Sequence, residues 1–379
     1  LTAYSSGALP SRSFAYRGLT VRVECPENAH LDWLAEFLSP AFAVTDAPSA
    51  DCVVHVILDP RRYAEMLAQR AGADVSPALA FALDQGPVRL PSWRAADGPR
   101  VLCSEASGVL YVTRLEGGRI DVVSPPANDG LRGALMKAVR ELAMTSSWGR
   151  STLVLHAAAF SAGARAVLIG GPKNAGKTSL LIHALHAPEA RYLSNDRIVL
   201  DVAAAAPVAH AMPTIVTVRP GTLARFPAAG RQTYDRYRYD LTTAEAESAR
   251  PGRATDDRHR SLSPAQLCRL LGAGMTSHGV VAAVVFPRIG SAARGLALRR
   301  LGVAEAVARL PEALFAAHCA PYASEVFRPP AYRPVLDRRH LTEVWTRVAA
   351  HVPVFDCALG PHAYDDGTER VLVEQLLGP

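Results

Sequence analysis

The sequence predicts a mixed α/β chain in two parts, a small α+β domain over residues 1–127 and a larger α/β domain over 128–379. Three observations carry this. Short β-branched or alternating runs, closed by turn residues, dominate the first part. From 128 onward, apolar strand-like runs alternate with helices of helical apolar spacing. One strand-to-helix junction, within 165–186, passes through a glycine-rich turn, as happens at the carboxyl ends of strands in open α/β sheets.

In the first part, GLTVRVEC (18–25), CVVHVILDP (52–60), GVLYVTRL (108–115) and GRIDVVSPP (118–126) read as strands. AHLDWLAEFL (29–38) reads as a helix. Residues 70–100 are rich in Ala, Pro and Gly and are expected to be irregular. No catalytic constellation is visible there.

In the second part, 128–144 is expected as a helix with Leu131, Leu135, Val139 and Leu142 on one face and Asp129 as its cap. TLVLHAAAF (152–160) and RAVLIGG (165–171) read as strands joined by a tight turn. The helix KTSLLIHALH (177–186) and the strand RYLSNDRIVLD (191–201) follow. Later strands are IVTVRPG (215–221), GVVAAVVFPRI (279–289) and VPVFDCAL (352–359); later helices are 341–351 and 367–377.

Composition narrows the possibilities. With 379 residues, 49% of them apolar, the chain has enough material for a sizeable core. The net charge of +6 and pI of about 9.1 fit an acidic partner, such as a nucleotide, nucleic acid or acidic peptide. They equally fit a plain arginine bias. The six cysteines form no C-x-x-C pair, which favours buried free thiols over a metal site or disulfide framework. No apolar run reaches the roughly 18 residues of a membrane span, and LTAYSSGALPSRS at the start has no secretory core. The cytoplasm is the expected compartment.

The chain has 41 basic residues but only three lysines, Lys137, Lys173 and Lys177. Two of the three fall in GGPKNAGKTS (170–179). Gly171-Pro172-Lys173-Asn174-Ala175-Gly176-Lys177-Thr178 fits G-x-x-x-x-G-K-[ST], the P-loop or Walker A pattern, between an apolar strand and an apolar helix. Backbone N–H groups of such a loop, continuing through Ser179, cradle phosphate at a helix N-terminus. A compact ammonium on Lys177 suits the β/γ-phosphates where a planar guanidinium would not fit. Thr178 can offer its hydroxyl to Mg²⁺. Lys173 is either a second phosphate contact or a solvated loop residue.

His156 stands 21 residues before Lys177, and Asp196 stands 19 after it at a strand end. Both segments can flank the phosphate end of the loop. A carboxylate there can take a proton from a hydroxyl or hold Mg²⁺, and a histidine can position phosphate. The alternatives are a satisfied core histidine and an Asx turn.

In LHAAAF, GGPKNAGKTS and YLSND the chain resembles the catalytic domain of the HPr kinase/phosphatase family and its related serine kinases, and phosphoenolpyruvate carboxykinase more distantly. The resemblance spans roughly 128–379 and is specific only over 152–201. It implies an HPr kinase-like P-loop domain, ATP and Mg²⁺ as cofactors, Asp196 as catalytic base, His156 and Lys177 as catalytic partners, and Thr178 with Asp196 at the metal. Departures are visible: Ala157 replaces the glycine after the histidine, and Asn174 replaces the middle glycine of the loop. Asn195 replaces the first of an acidic pair, and MPTIVTVRPG (212–221) has no acid to take the place of the family's downstream metal-binding glutamate.

Residues 231–261 interleave arginines with Tyr234, Tyr237 and Tyr239. A solvated loop and a phosphate-clamping lid are both open readings; nucleic acid is not expected, because no nucleic-acid motif accompanies the cluster. Arg236, Arg238, Arg258 and Arg260 from this stretch, and Arg219 from VRPGT, are candidate substrate contacts. The expectation is therefore an ATP- and Mg²⁺-dependent phosphotransferase acting on a serine-type hydroxyl of a peptide or small metabolite. Its partners would be a nucleotide, that acceptor and further copies of the chain, with no membrane. The rival reading is a nucleotide-binding regulator or ATPase without an acceptor.

Overall fold

The computed structural model describes residues 9–378 apart from 48, 84–85, 96–97, 115–117, 150, 205, 220–221, 223–235, 249–259, 291–293, 316–323, 325, 330–337 and 366. It is a mixed α/β chain that packs as two compact units. One comprises 1–38, 42–146 and 322–332, and the other 39–41, 147–321 and 333–379. The helix expected to open a second domain at 128 therefore packs with the first unit; a two-domain organisation divided at 127 stays a proposal.

The first unit contains β1 (Ser11–Tyr16), β2 (Leu19–Glu24), α1 (Asn28–Leu38), β3 (Ala43–Thr45), β4 (Cys52–Leu58), α2 (Pro60–Ala68), β5 (Ser76–Leu83), β6 (Gly86–Arg94), β7 (Arg100–Ser104), β8 (Val109–Arg114), β9 (Arg119–Ser124) and α3 (Leu131–Ser147). Its sheet runs β3-β1-β2-β4-β9-β8-β7-β6-β5, with β2, β4 and β9 parallel. α1 buries Leu31, Trp33, Leu34, Phe37 and Leu38 at helical spacing. α2 starts at Pro60, and the Asp59 carboxylate accepts from Arg61 N and Arg62 N at 2.9 and 3.0 Å. Residues 70–100, expected to be irregular, contain two paired strands: β5 and β6 are antiparallel, with Pro77 opposite Pro91. β5 is the sheet edge, where proline's missing N–H costs least. Before α3, Asn128 Oδ1 accepts from Gly130 N at 2.9 Å, and its amide donates to Ser107 O and Gly108 O. Residues of 322–332 complete this unit. Ser324 Oγ donates to Ala80 O at 2.8 Å, and Phe327 stacks on Phe81 and meets Tyr111 edge-on.

The second unit contains β10 (Thr152–Leu155), β11 (Ala158–Ala162), β12 (Arg165–Ile169), α4 (Lys177–Ala184), β13 (Ala190–Ser194), β14 (Arg197–Asp201), β15 (Val208–Met212), β16 (Val216–Val218), α5 (Thr243–Ser248), β17 (Arg260–Leu262), α6 (Pro264–Leu271), β18 (Gly274–Met275), β19 (His278–Ile289), β20 (Leu296–Arg300), α7 (Val303–Arg309), α8 (Arg338–His351), β21 (Val354–Leu359) and α9 (Thr368–Leu377). The main sheet runs β10-β14-β15-β19-β12-β11-β13-β18, and β21 joins β19 and β20. On one face, Val167, Ile169, Val285 and Leu359 pack against Leu180, Leu181 and Leu376 of α4 and α9. Each such side chain contributes about 1.5–3 kcal/mol by leaving water.

Two stretches expected as single strands are each broken in two. 152–160 divides at His156-Ala157, and 191–201 divides at Asn195-Asp196. Cys25, Cys52, Cys103, Cys268 and Cys357 are buried free thiols, as expected; Cys319 lies outside the described residues. Among the described residues, no helix is long and apolar enough to cross a membrane.

Candidate functional site

The site follows from strand direction. β12 runs parallel to β19 and β19 to β21, while β11 is antiparallel to both β12 and β13. The carboxyl ends of β12, β13, β19 and β21 therefore share one edge of the sheet. β11 starts at that edge: Ala158 pairs with Ile169 and Ala159 with Ser194. Register alone thus gathers His156 before β11, the loop after β12 and Asp196 after β13. Ligands of open α/β sheets lie at such an edge.

The loop is shaped by close packing. Gly170 N donates to Val285 O at 2.9 Å, and a Cβ on Gly170 would lie 2.8 Å from the Phe286 ring and 3.1 Å from Ala313. Gly176 has φ +107°, and a Cβ there would meet Ile289 and Leu359 at 3.1–3.2 Å. Asn174 adopts φ +68°, the left-handed conformation that Asn tolerates, and its Oδ1 accepts from Arg219 Nη2 at 2.8 Å. Pro172 and Lys173 are exposed, and Ala175 and Thr178 are half-buried. Ser179 Oγ lies 3.4 Å from Thr222 Oγ1. Lys177, the first residue of α4, is buried, and its ammonium turns back to donate to Gly171 O at 2.6 Å and Pro172 O at 3.1 Å. The cation is thereby stored inside the loop that an anion would occupy.

Across the edge, Asp196 is held from two sides. Its Oδ1 lies 3.2 Å from His156 Nε2, and its Oδ2 lies 3.6 Å from Arg197 Nε. His156 and Arg197 are almost fully buried, whereas about a third of the Asp196 side chain (35%) is open to solvent. The Arg197 guanidinium lies over the Phe315 ring at 4.4 Å, a cation–π contact. His156 N donates to Ala313 O at 2.7 Å, so the short 3-10 turn Leu310–Ala313 fixes both the histidine backbone and the back of Gly170. An oriented carboxylate with one open edge can accept a proton or face a cation.

Asn195 turns the other way. Its Oδ1 accepts from Tyr192 Oη at 2.6 Å and Thr214 Oγ1 at 3.0 Å, and its amide points to Ile215 O at 3.4 Å. This buried cross-link has no open edge, and burial holds the Tyr192 phenol well above its ordinary range. Asn195 is a structural residue.

The candidate arginines separate. Arg219 reaches the loop through Asn174. Arg260 sits in register opposite Val218, next to Arg219. Arg238 is exposed and pairs with Asp240, and Arg236 lies in the preceding turn. Arg258 and Tyr234 lie outside the described residues. Over 236–248 the described residues are partly packed against α6. Gln266 donates to Arg238 O and Leu241 O at 2.8 and 2.9 Å, Tyr237 is buried, and its hydroxyl donates to Glu247. Sequence reasoning missed Gly170, Arg197 and Phe315. The Gly170-Gly171 pair was a usable signal; the other two carry none.

Among the described residues, no group of three or more His, Cys, Asp and Glu side chains could hold a metal ion by itself. No protein-family model matches the chain, and no curated protein matches it significantly. Among solved structures it is similar to the Hpr(Ser) kinase/phosphatase from Coxiella burnetii, at 11% identity and a TM-score of 0.25, over 59% of this chain and 87% of that one. A likeness at this level fixes no activity.

Proposed function

We propose that the second unit binds a nucleoside triphosphate on its 170–179 loop and transfers the terminal phosphoryl group to a serine-type hydroxyl, as an HPr kinase-like P-loop domain. The observation supporting this reading is the gathering of the Lys177 loop, Asp196 and His156 at one sheet edge by register. On nucleotide binding, Lys177 would leave the Gly171 and Pro172 carbonyls for the β/γ-phosphates, and the loop N–H groups would take the remaining oxygens. Asp196 would accept the acceptor's hydroxyl proton as the new O–P bond forms and the β–γ bridge bond breaks. His156 would hold the carboxylate in position. Arg219, already beside the loop, would stabilise charge on the transferring group.

The Thr178 hydroxyl and the Asp196 carboxylate are hard oxygen donors. They suit Mg²⁺, which binds through one or two carboxylates together with nucleotide phosphates and water. Mg²⁺ would neutralise phosphate charge when bound. The test is mass spectrometry of candidate peptides and alcohols incubated with ATP and Mg²⁺, alongside ADP release with and without each acceptor. A phosphate added to an acceptor is expected. ADP release indifferent to every acceptor would instead favour a nucleotide-hydrolysing regulator.

A further inference from the structure

The sheet order of the second unit gives a bound triphosphate a direction. β12, which ends in the 170–179 loop, has β11 and then β13 on one side and β19 and then β21 on the other. Asp196, the proposed partner of the reacting hydroxyl, follows β13 on the first side. With the terminal phosphate turned toward Asp196 and the others on the loop, the rest of the nucleotide leaves over the ends of β19 and β21.

Those ends carry an apolar row. Ile289 closes β19, Leu359 closes β21 and Leu296 opens β20. Ile289 pairs with Leu359, and Leu359 with Leu296, so the three residues stand side by side on one face of the sheet. The row adjoins the loop: a Cβ on Gly176 would lie 3.1 Å from Ile289 and 3.2 Å from Leu359. Leu359 is buried and Leu296 half-buried, whereas Ile289 is 50% exposed. A single exposed apolar side chain is ordinary on a protein surface. This one extends a packed row, at the edge where open α/β sheets bind ligands and on the side of the loop away from Asp196.

We propose that Ile289, backed by Leu359 and Leu296, is the surface on which the nucleoside of the bound triphosphate rests. The proposal rests on the phosphotransfer reading, from which it takes the direction of the phosphates. Three aliphatic side chains offer area and no hydrogen bond, so they contact the flat face of a base and do not read its edge. The substrate class is accordingly a nucleoside triphosphate held by the face of its base, with ATP and GTP both accepted.

The test is calorimetric titration of the full chain with ATP, GTP and inorganic tripolyphosphate, each with Mg²⁺. The wild type should bind both nucleotides more tightly than tripolyphosphate. Ile289→Ser should weaken both nucleotides about fivefold or more, from apolar area no longer covered, and leave tripolyphosphate unchanged. Lys177→Ala should instead weaken all three. Thermal melts report folding, and Ile289→Ala serves if Ile289→Ser does not fold. Unchanged nucleotide affinity in the Ile289 variant, loss for one nucleotide only, or an equal loss for tripolyphosphate in the folded variant would overturn the inference and leave the loop reading standing. A wild type that binds none of the three would overturn both.

Discussion

At the scale of single residues, Lys177 and Asn195 make opposite predictions. The Lys177 ammonium rests on two carbonyls of the loop that is expected to cradle phosphate. Lys177→Ala should weaken ATP binding by about 10–100-fold, the value of a charged hydrogen bond. Lys177→Arg should do nearly as badly, since a guanidinium needs a fork of acceptors and more room. Equilibrium ATP titration checks both, and near-normal affinity in Lys177→Arg would contradict the argument drawn from the scarcity of lysine. Asn195 looks, in sequence, like the remnant of an acidic pair. Its buried amide instead faces the Ile215 carbonyl, so Asn195→Asp should set a carboxylate against a carbonyl and lower stability by about 1–3 kcal/mol. Urea denaturation measures this; unchanged stability with tighter Mg²⁺ binding would return Asn195 to the metal. Lys177 was legible because its motif is local. Asn195 was not, because its partners Tyr192, Thr214 and Ile215 meet it only once strands pair.

At the scale of elements, α4 couples the loop to the core. Its His183 is buried, with Nε2 2.9 Å from Thr368 Oγ1 and the ring edge-on to Tyr364. Burial pushes the imidazole down to about 4, with Glu369 opposing the shift. An unfolded histidine titrates near 6.5. The neutral ring's contribution to stability is therefore complete above about pH 6.5 and is lost as pH falls toward 4, by an amount on the order of 1–3 kcal/mol. Thermal melts of the wild type should drop steeply across that window, and His183→Gln should flatten the drop; equal slopes would assign the acid sensitivity elsewhere. The strand breaks show what the sequence withheld. Residues 152–160 and 191–201 are apolar enough to read as unbroken strands. Asn195-Asp196 carries a turn signal, whereas His156-Ala157 carries none. Two of the three candidate catalytic residues, His156 and Asp196, sit at those breaks. The β5–β6 hairpin hid behind its prolines and alanines, whose tolerance at an edge strand depends on a sheet order that no local pattern reveals.

At the scale of the whole molecule, the chain contributes 1–38 and 42–146 to its first unit and returns to it through 322–332. Phe327, fully buried, is packed between Phe81 and Tyr111. Phe327→Ala should destabilise that unit by about 3–5 kcal/mol. Calorimetry should show one transition shifted and another little changed, while an unshifted thermogram would remove the segment from the unit's core. The alternation of strands and helices was readable from sequence, but this late return was not, since a match of aromatic shapes has no period. The central claim is that a phosphate loop and a general base from separate strands meet in the second unit. Single-turnover phosphoryl transfer by Asp196→Asn, beside its metal-free ATP affinity, tests it most directly. The rate should fall by about 10²–10⁴, as expected for loss of a general base, with ATP affinity nearly unchanged because Lys177 and the loop amides hold the phosphates. Transfer at the wild-type rate would contradict the account and leave Asp196 as a turn residue.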